Sequence, residues 1–340
     1  MFSTFNAVGS VVQQWQIVKI PKPNIWTKLN TDTISASIGS QTYGTSIDCS
    51  SDGKYILLVA GLGTAPYYIY KSSDYGATWS SIALNVTDGG AAPTFPTAVA
   101  VSKTGQYQYF TVAGSYPIMC SSNYGMTFAY KQLTLKSWIG ISCSLDGTKY
   151  FAISTDSGGV STDSGTTMTL LPTMIGTSAL SCCKIDPANN FLIYTTSTFA
   201  YVSYDYGSTW GVLLNDTRNP SNYTFSSLSS YNGVVCLGIS SGGYMRTHNN
   251  GGSWQGSPGY GSPATAMQPN PYFSMDSESL KTCVVAPTTA IAPMYVITWF
   301  GFNNAVGLTN QIYINCKITP SVYYVVSANG NIYGCNAPFI

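Results

Sequence analysis

The chain reads as short β-rich apolar runs divided by turn residues. Tyr55 to Ala60 follows the pair Asp52-Gly53, Tyr107 to Val112 follows Thr104-Gly105, Tyr150 to Ile153 follows Asp146-Gly147, and Val234 to Leu237 follows Asn232-Gly233. Asn-Gly and Asp-Gly accept the positive φ of a tight turn, so runs divided in this way predict β-hairpins. In the first full unit a strand from Ser46 to Cys49 precedes the turn, and a third strand from Tyr67 to Tyr70 follows the second. The predicted fold class is all-β.

Each third strand leads into a polar octet. The first copy carries Ser72, Asp74, Gly76, Thr78 and Trp79, and the second Ser121, Asn123, Gly125, Thr127 and Phe128. The third carries Ser161, Asp163, Gly165 and Thr167, the fourth Ser203, Asp205, Gly207, Thr209 and Trp210, and the fifth Thr247, Asn249, Gly251, Ser253 and Trp254. Asp or Asn at the third place can close a turn by bonding the backbone two residues on, and Gly at the fifth takes a positive φ without steric cost. The hydroxyls can cap nearby backbone groups, and the closing aromatic is expected to be buried between adjacent sheets. The octets are therefore read as structural. Their starts lie 49, 40, 42 and 44 residues apart, a period that suits a four-stranded unit.

Written as Ser/Thr-x-Asp/Asn-x-Gly-x-Thr/Ser-aromatic, the octet resembles the Asp-box, or BNR repeat, of sialidase-like and sortilin-like β-propellers. The resemblance implies a β-propeller whose octet turns join the third and fourth strands of each blade. A chain of 340 residues leaves room for about seven such blades. Ile25 to Leu29 resembles the strand after an octet, while Ile314 to Cys335 ends one strand short of a blade. The N-terminal strand is expected to complete the last blade and close the ring, which removes exposed sheet edges. Residues 25–340 are thus read as one propeller, with a degenerate sixth blade over about 272–310, and residues 1–24 as an extended arm.

Charged residues make up 8% of the chain, against roughly 25% in an average soluble protein. With a formal charge of +1 and only Arg218 and Arg246 as arginines, no basic stripe exists for a phosphate backbone, and nucleic acid is not an expected partner. No apolar run approaches the roughly 20 residues of a membrane span. The odd count of nine cysteines without framework spacing points to free thiols. The N-terminal stretch lacks the pattern of a secretory signal. Synthesis in the cytoplasm is the expectation.

The sialidase activity that the resemblance brings to mind fails residue by residue. Sialidases bind the substrate carboxylate with three arginines and pair a nucleophilic Tyr with a Glu; this chain has two arginines, and Glu278 is its sole Glu. Asp276 and Glu278 form the best remaining acid pair, but a spacing of two more often gives a solvated edge than a catalytic dyad. His248 is the only histidine, which leaves little for a Ser-His-Asp relay or a zinc site. No cofactor or metal is expected.

A binding surface remains. The long connections on the side away from the octets carry Phe95, Tyr223, Tyr260 and Tyr272 among Gly, Pro, Ser and Asn, a mixture suited to a polar protein contact or to stacking on a neutral glycan. The reading is a non-catalytic structural or recognition propeller in a larger assembly, such as a virus particle or its surface, with protein partners engaged through the loop face and through residues 1–24. A divergent glycan-acting hydrolase is the alternative.

Overall fold

The computed structural model describes residues 27–29, 43–61, 68–83, 95–131, 134–171, 180–186, 191–196, 199–214, 225–239, 243–247, 249–252, 254–258, 272–275, 282–285, 295–298, 301–303, 313–318, 322–327 and 332–336. The arm of residues 1–24 lies outside them.

After the two-residue β1 (Thr27–Lys28) come β2 (Tyr43–Cys49), β3 (Ile56–Gly61), β4 (Tyr68–Ser72) and β5 (Ser80–Ala83). The second unit is β6 (Pro96–Val101), β7 (Gln108–Val112) and β8 (Met119–Ser121); the third is β9 (Trp138–Cys143), β10 (Tyr150–Ser154), β11 (Gly158–Ser161) and β12 (Thr169–Leu171). Then follow β13 (Leu180–Ile185), β14 (Leu192–Thr196), β15 (Ala200–Ser203) and β16 (Gly211–Leu214), and β17 (Phe225–Tyr231), β18 (Val234–Ile239), β19 (Gly243–Thr247) and β20 (Trp254–Pro258). The last are β21 (Tyr272–Met275), β22 (Thr282–Val285), β23 (Tyr295–Thr298) and β24 (Gly301–Asn303), and β25 (Tyr313–Ile318), β26 (Val322–Ser327) and β27 (Ile332–Asn336).

These strands form antiparallel sheets, and no described residue is helical. Six sheets have four strands and the β6–β8 sheet has three. In that sheet Ala129 bridges Cys120 and Lys136 bridges Tyr116, so an irregular segment stands where a fourth strand would run. The innermost strands lie side by side in the order β2, β6, β9, β13, β17, β21, β25, and β25 returns to β2. The fold is a β-propeller. Its ring is closed by β1, which pairs with β27 through Thr27 opposite Gly334 and Lys28 opposite Tyr333.

Burial peaks in the second strands, with the innermost strands β9 and β13 partly buried. Second strands such as β10 and β14 are buried at every residue, which is why Tyr150 to Ser154 and Leu192 to Thr196 read as continuous runs without alternation. Outer strands β5 and β12 are largely exposed and β16 is exposed over its first half, and Ser80, Ser81 and Thr169 occupy the exposed places.

The hydrophobic core lies between sheets, and the last residue of each octet packs into it. Trp79 joins a cluster holding Ile56 and Leu58 of the first blade and Tyr324 of the last. Phe128 packs on Phe110 with ring centroids 5.1 Å apart, and Met168 packs on a cluster containing Tyr109 and Tyr150. Trp210 meets Tyr194 of its own blade edge-on at 4.6 Å and Phe151 of the preceding blade at 5.9 Å; Trp254 packs on Leu213 and Val235 among others. The three tryptophans are half-buried, because each plugs its seam from the rim and keeps part of the indole toward solvent.

Candidate functional site

Within the octets the first hydroxyl both accepts and donates. Ser72 Oγ accepts from the Gly76 N–H at 2.8 Å and donates to Asp74 Oδ1 at 2.8 Å. The same two bonds recur at Ser121 (3.0 and 2.9 Å), Ser161 (2.8 and 2.9 Å), Ser203 (2.7 and 2.8 Å) and Thr247 (3.0 and 2.9 Å). Oδ1 of the third residue then accepts from the N–H of Thr78, Thr127, Thr167 and Thr209 at 2.8–3.1 Å. Asn123 donates Nδ2 to Thr127 Oγ1 at 2.9 Å, where an Asp would accept. Ser253 lies outside the described residues.

The backbone is left-handed at two successive places, Tyr75 (φ 62°) and Gly76 (φ 82°), and this repeats at Tyr124, Ser164, Tyr206 and Asn250 with their following glycines. The sequence points to the glycine and not to the residue before it. That residue's N–H is spoken for: Tyr75 donates to Lys54 O at 3.1 Å, Tyr124 to Gln106 O at 3.0 Å and Ser164 to Thr148 O at 2.7 Å. These octet turns are thereby tied to the first hairpin of their own blades, which offsets the left-handed strain. The side chain at this place is left outside, with Tyr75 53% and Tyr124 41% exposed.

Between the first two octets lies a groove of about 340 Å³ lined by Tyr55, Lys71, Thr78, Trp79, Tyr124 and Met126. Tyr55 and Tyr124 pack with centroids 4.8 Å apart, the Lys71 ammonium donates to Gly125 O, and Met126 is 70% exposed. The loop-face set fares differently. Phe95 is exposed just before β6, and its carbonyl accepts from the Ala113 N–H at 2.9 Å. Tyr272 begins β21, and Tyr223 and Tyr260 lie outside the described residues.

The central channel holds polar groups that the sequence reading left unassigned. Innermost strands have a free edge, and side chains of one blade cap the edge N–H groups of the next. Asp48 Oδ2 accepts from Val101 N at 2.8 Å, Ser46 Oγ from Val99 N at 3.2 Å and Ser142 Oγ from Ile185 N at 3.2 Å. Asp48 Oδ1 also accepts from Cys49 N at 2.9 Å and pairs with Lys317 Nζ at 2.5 Å. Burial would lower the Lys317 pKa, but the Asp48 charge outweighs it and holds the ammonium protonated above its ordinary range. The signal was present in Ser46-Ile47-Asp48-Cys49, where polar and apolar residues alternate on an innermost strand.

All eight described carboxylates are engaged. Asp74, Asp163 and Asp205 close octets, and Asp52 and Asp146 close hairpins. Asp156 pairs with Lys136 at 2.9 Å, and Asp48 serves the channel. Asp186 is fully buried and reaches the next blade: Ser230 Oγ donates to it at 2.5 Å, Asn232 N at 3.2 Å and Gly233 N at 3.3 Å. The Lys136 and Ser154 hydrogen bonds hold the Asp156 carboxyl down at about 2, and those of Thr209 and Ser203 do the same for Asp205. Asp276 and Glu278 lie outside the described residues, as does His248. Among the described residues no three His, Cys, Asp or Glu side chains gather as a metal site would need, and none belongs to a helix able to cross a membrane.

No protein-family model matches the chain, and no curated protein matches it by sequence. Solved structures do match. YCF48 bound to a D1 peptide is 12% identical with a TM-score of 0.63, over 94% of this chain and 98% of that one. A virginiamycin B lyase from Staphylococcus aureus, solved with quinupristin, is 11% identical with a TM-score of 0.67, over 93% and 100%. The WD40 repeats of RRP9 are 10% identical with a TM-score of 0.68, over 92% and 97%. At such identities the likeness is one of fold, and the shared fold is the β-propeller.

Proposed function

We propose that this chain is a non-catalytic recognition propeller that binds protein partners within a larger assembly. One observation carries the reading: each of the eight described carboxylates already accepts hydrogen bonds from a turn, a hydroxyl or the channel lining. A glycoside hydrolase needs two carboxyls free to face one another across a substrate. Asp74, Asp146, Asp156, Asp163 and Asp205 are held low by their hydrogen bonds, which makes them poor general acids at neutral pH.

The structural neighbours support the same reading, since YCF48 was solved with a peptide. The lyase shows that the fold also carries catalysis. The octets place the chain with the Asp-box propellers in this proposal, as a closed ring of seven blades. The groove flanked by Trp79, Tyr124 and Met126 offers exposed aromatic and thioether surface beside a lysine and hydroxyls, the composition of a protein-contact centre. Residues 1–24 serve as a second, assembly contact.

The test is a pull-down from the native source with the full chain, with a version starting at Asn24, and with Tyr124→Ala/Met126→Ala in the full chain, each retained protein being identified. A partner held by the full chain and lost by either altered version supports the proposal. Turnover of glycans by the purified full chain, with no protein retained, would refute it.

A further inference from the structure

Among the described residues, Lys184 in the channel has no counter-charge of its own. It occupies the same register place on β13 as Asp48 on β2, Ser142 on β9 and Lys317 on β25, one residue before the last pair with the second strand. Asp48 and Ser142 use this place to accept an N–H from the next blade. An ammonium cannot accept.

Lys184 is half-buried and makes no hydrogen bond or ion pair with a described residue. Its charge is nonetheless coupled to Lys317, which repels it, and to Asp48, which attracts it. Those residues lie on β25 and β2, each three innermost strands away from β13 in opposite directions round the ring. The coupling therefore runs across the channel. Cys143 and Cys183 also bear on it, so among the described residues the titratable groups acting on Lys184 are two thiols, one lysine and one carboxylate, and the carboxylate is already bound to that lysine. Burial first, and Lys317 second, pull the Lys184 pKa down. A half-buried cation is costly to hold when the one described carboxylate that acts on it is already paired, unless an anion joins it.

We propose that the channel binds a small oxyanion from solution, held by the Lys184 ammonium with Lys317 adding positive charge from the opposite side. Ammonium groups are compact point charges that suit phosphate, sulfate or a free carboxylate. The site is independent of the octet-side groove.

The probes are inorganic phosphate, sulfate and acetate, each titrated against chloride at constant ionic strength, read by thermal unfolding of the full chain and by calorimetric titration. One or more of the oxyanions is expected to raise Tm by about 1–2 °C at roughly five times its Kd, with one site per chain. Lys184→Met should abolish this rise while keeping the far-ultraviolet dichroism, and Lys184→Arg should retain it. Equal shifts in wild type and Lys184→Met, or no saturable heat with any oxyanion in wild type, would overturn the proposal. Should Lys184→Met fail to fold, the wild-type calorimetry and Lys184→Arg still decide.

Discussion

Lys317 Nζ on the last innermost strand lies 2.5 Å from Asp48 Oδ1 on the first, where the end of the ring meets its beginning. Asp48 meanwhile accepts N–H groups from Cys49 and from Val101 of the second blade. One carboxylate thus joins three blades. Tyr324 reinforces the same seam by donating its hydroxyl to Gly53 O at 3.0 Å.

Lys317→Met is expected to destabilise the chain by about 3 kcal/mol, because it leaves a largely buried carboxylate with two N–H donors and no cation. Urea unfolding checks this. In a double-mutant cycle with Asp48→Asn the pair should show clear coupling; additive losses would mean that the ion pair is incidental to closure.

Gly207 has φ +91°, and a Cβ there would stand 2.5 Å from Leu171 Cδ2 on the preceding blade; at Gly211 the nearest atom would be 4.0 Å away. Gly207→Ala should therefore cost about 1–3 kcal/mol from backbone strain, before any clash. Gly211→Ala should stay within about 0.5 kcal/mol. Equal effects in urea unfolding would contradict the packing of octet turns against the neighbouring blade.

Asp205 and Asp156 have carboxyls held at about 2 in the folded chain, below the unfolded value of about 3.9. A depressed pKa contributes stability that is full above the unfolded value and is lost as pH falls through the folded one. Stability from these groups should be level from pH 7 to 5 and should decline between about pH 4 and 2. Since Asn123 and Asn249 hold the same place in sister octets, Asp205→Asn should keep the turn and make the acid decline shallower. An unchanged decline in Asp205→Asn would show that the octet carboxylate does not titrate as described.

Much of the fold could be read from the sequence because the hairpin turns and octets impose local rules. Asp-Gly and Asn-Gly mark where first and second strands meet, and the strand at Thr27–Lys28 pairs with β27 as its likeness to the strand after an octet suggested. What escaped the reading depends on neighbours distant in sequence. Asp48 is an acceptor for Val101, 53 residues on, and no local pattern encodes that. Tyr75 and Tyr124 take a left-handed backbone because Lys54 and Gln106 carbonyls receive their N–H groups. The half-burial of Trp79, Trp210 and Trp254 reflects their place at the rim of each seam, which periodicity does not report.

The most direct measurement of the central claim is the affinity of the retained partner for the full chain and for Tyr124→Ala/Met126→Ala, by calorimetric titration. A loss of tenfold or more, about 1.4 kcal/mol or above, with unchanged Tm, is the expected result. An unchanged Kd would contradict recognition through the octet-side groove.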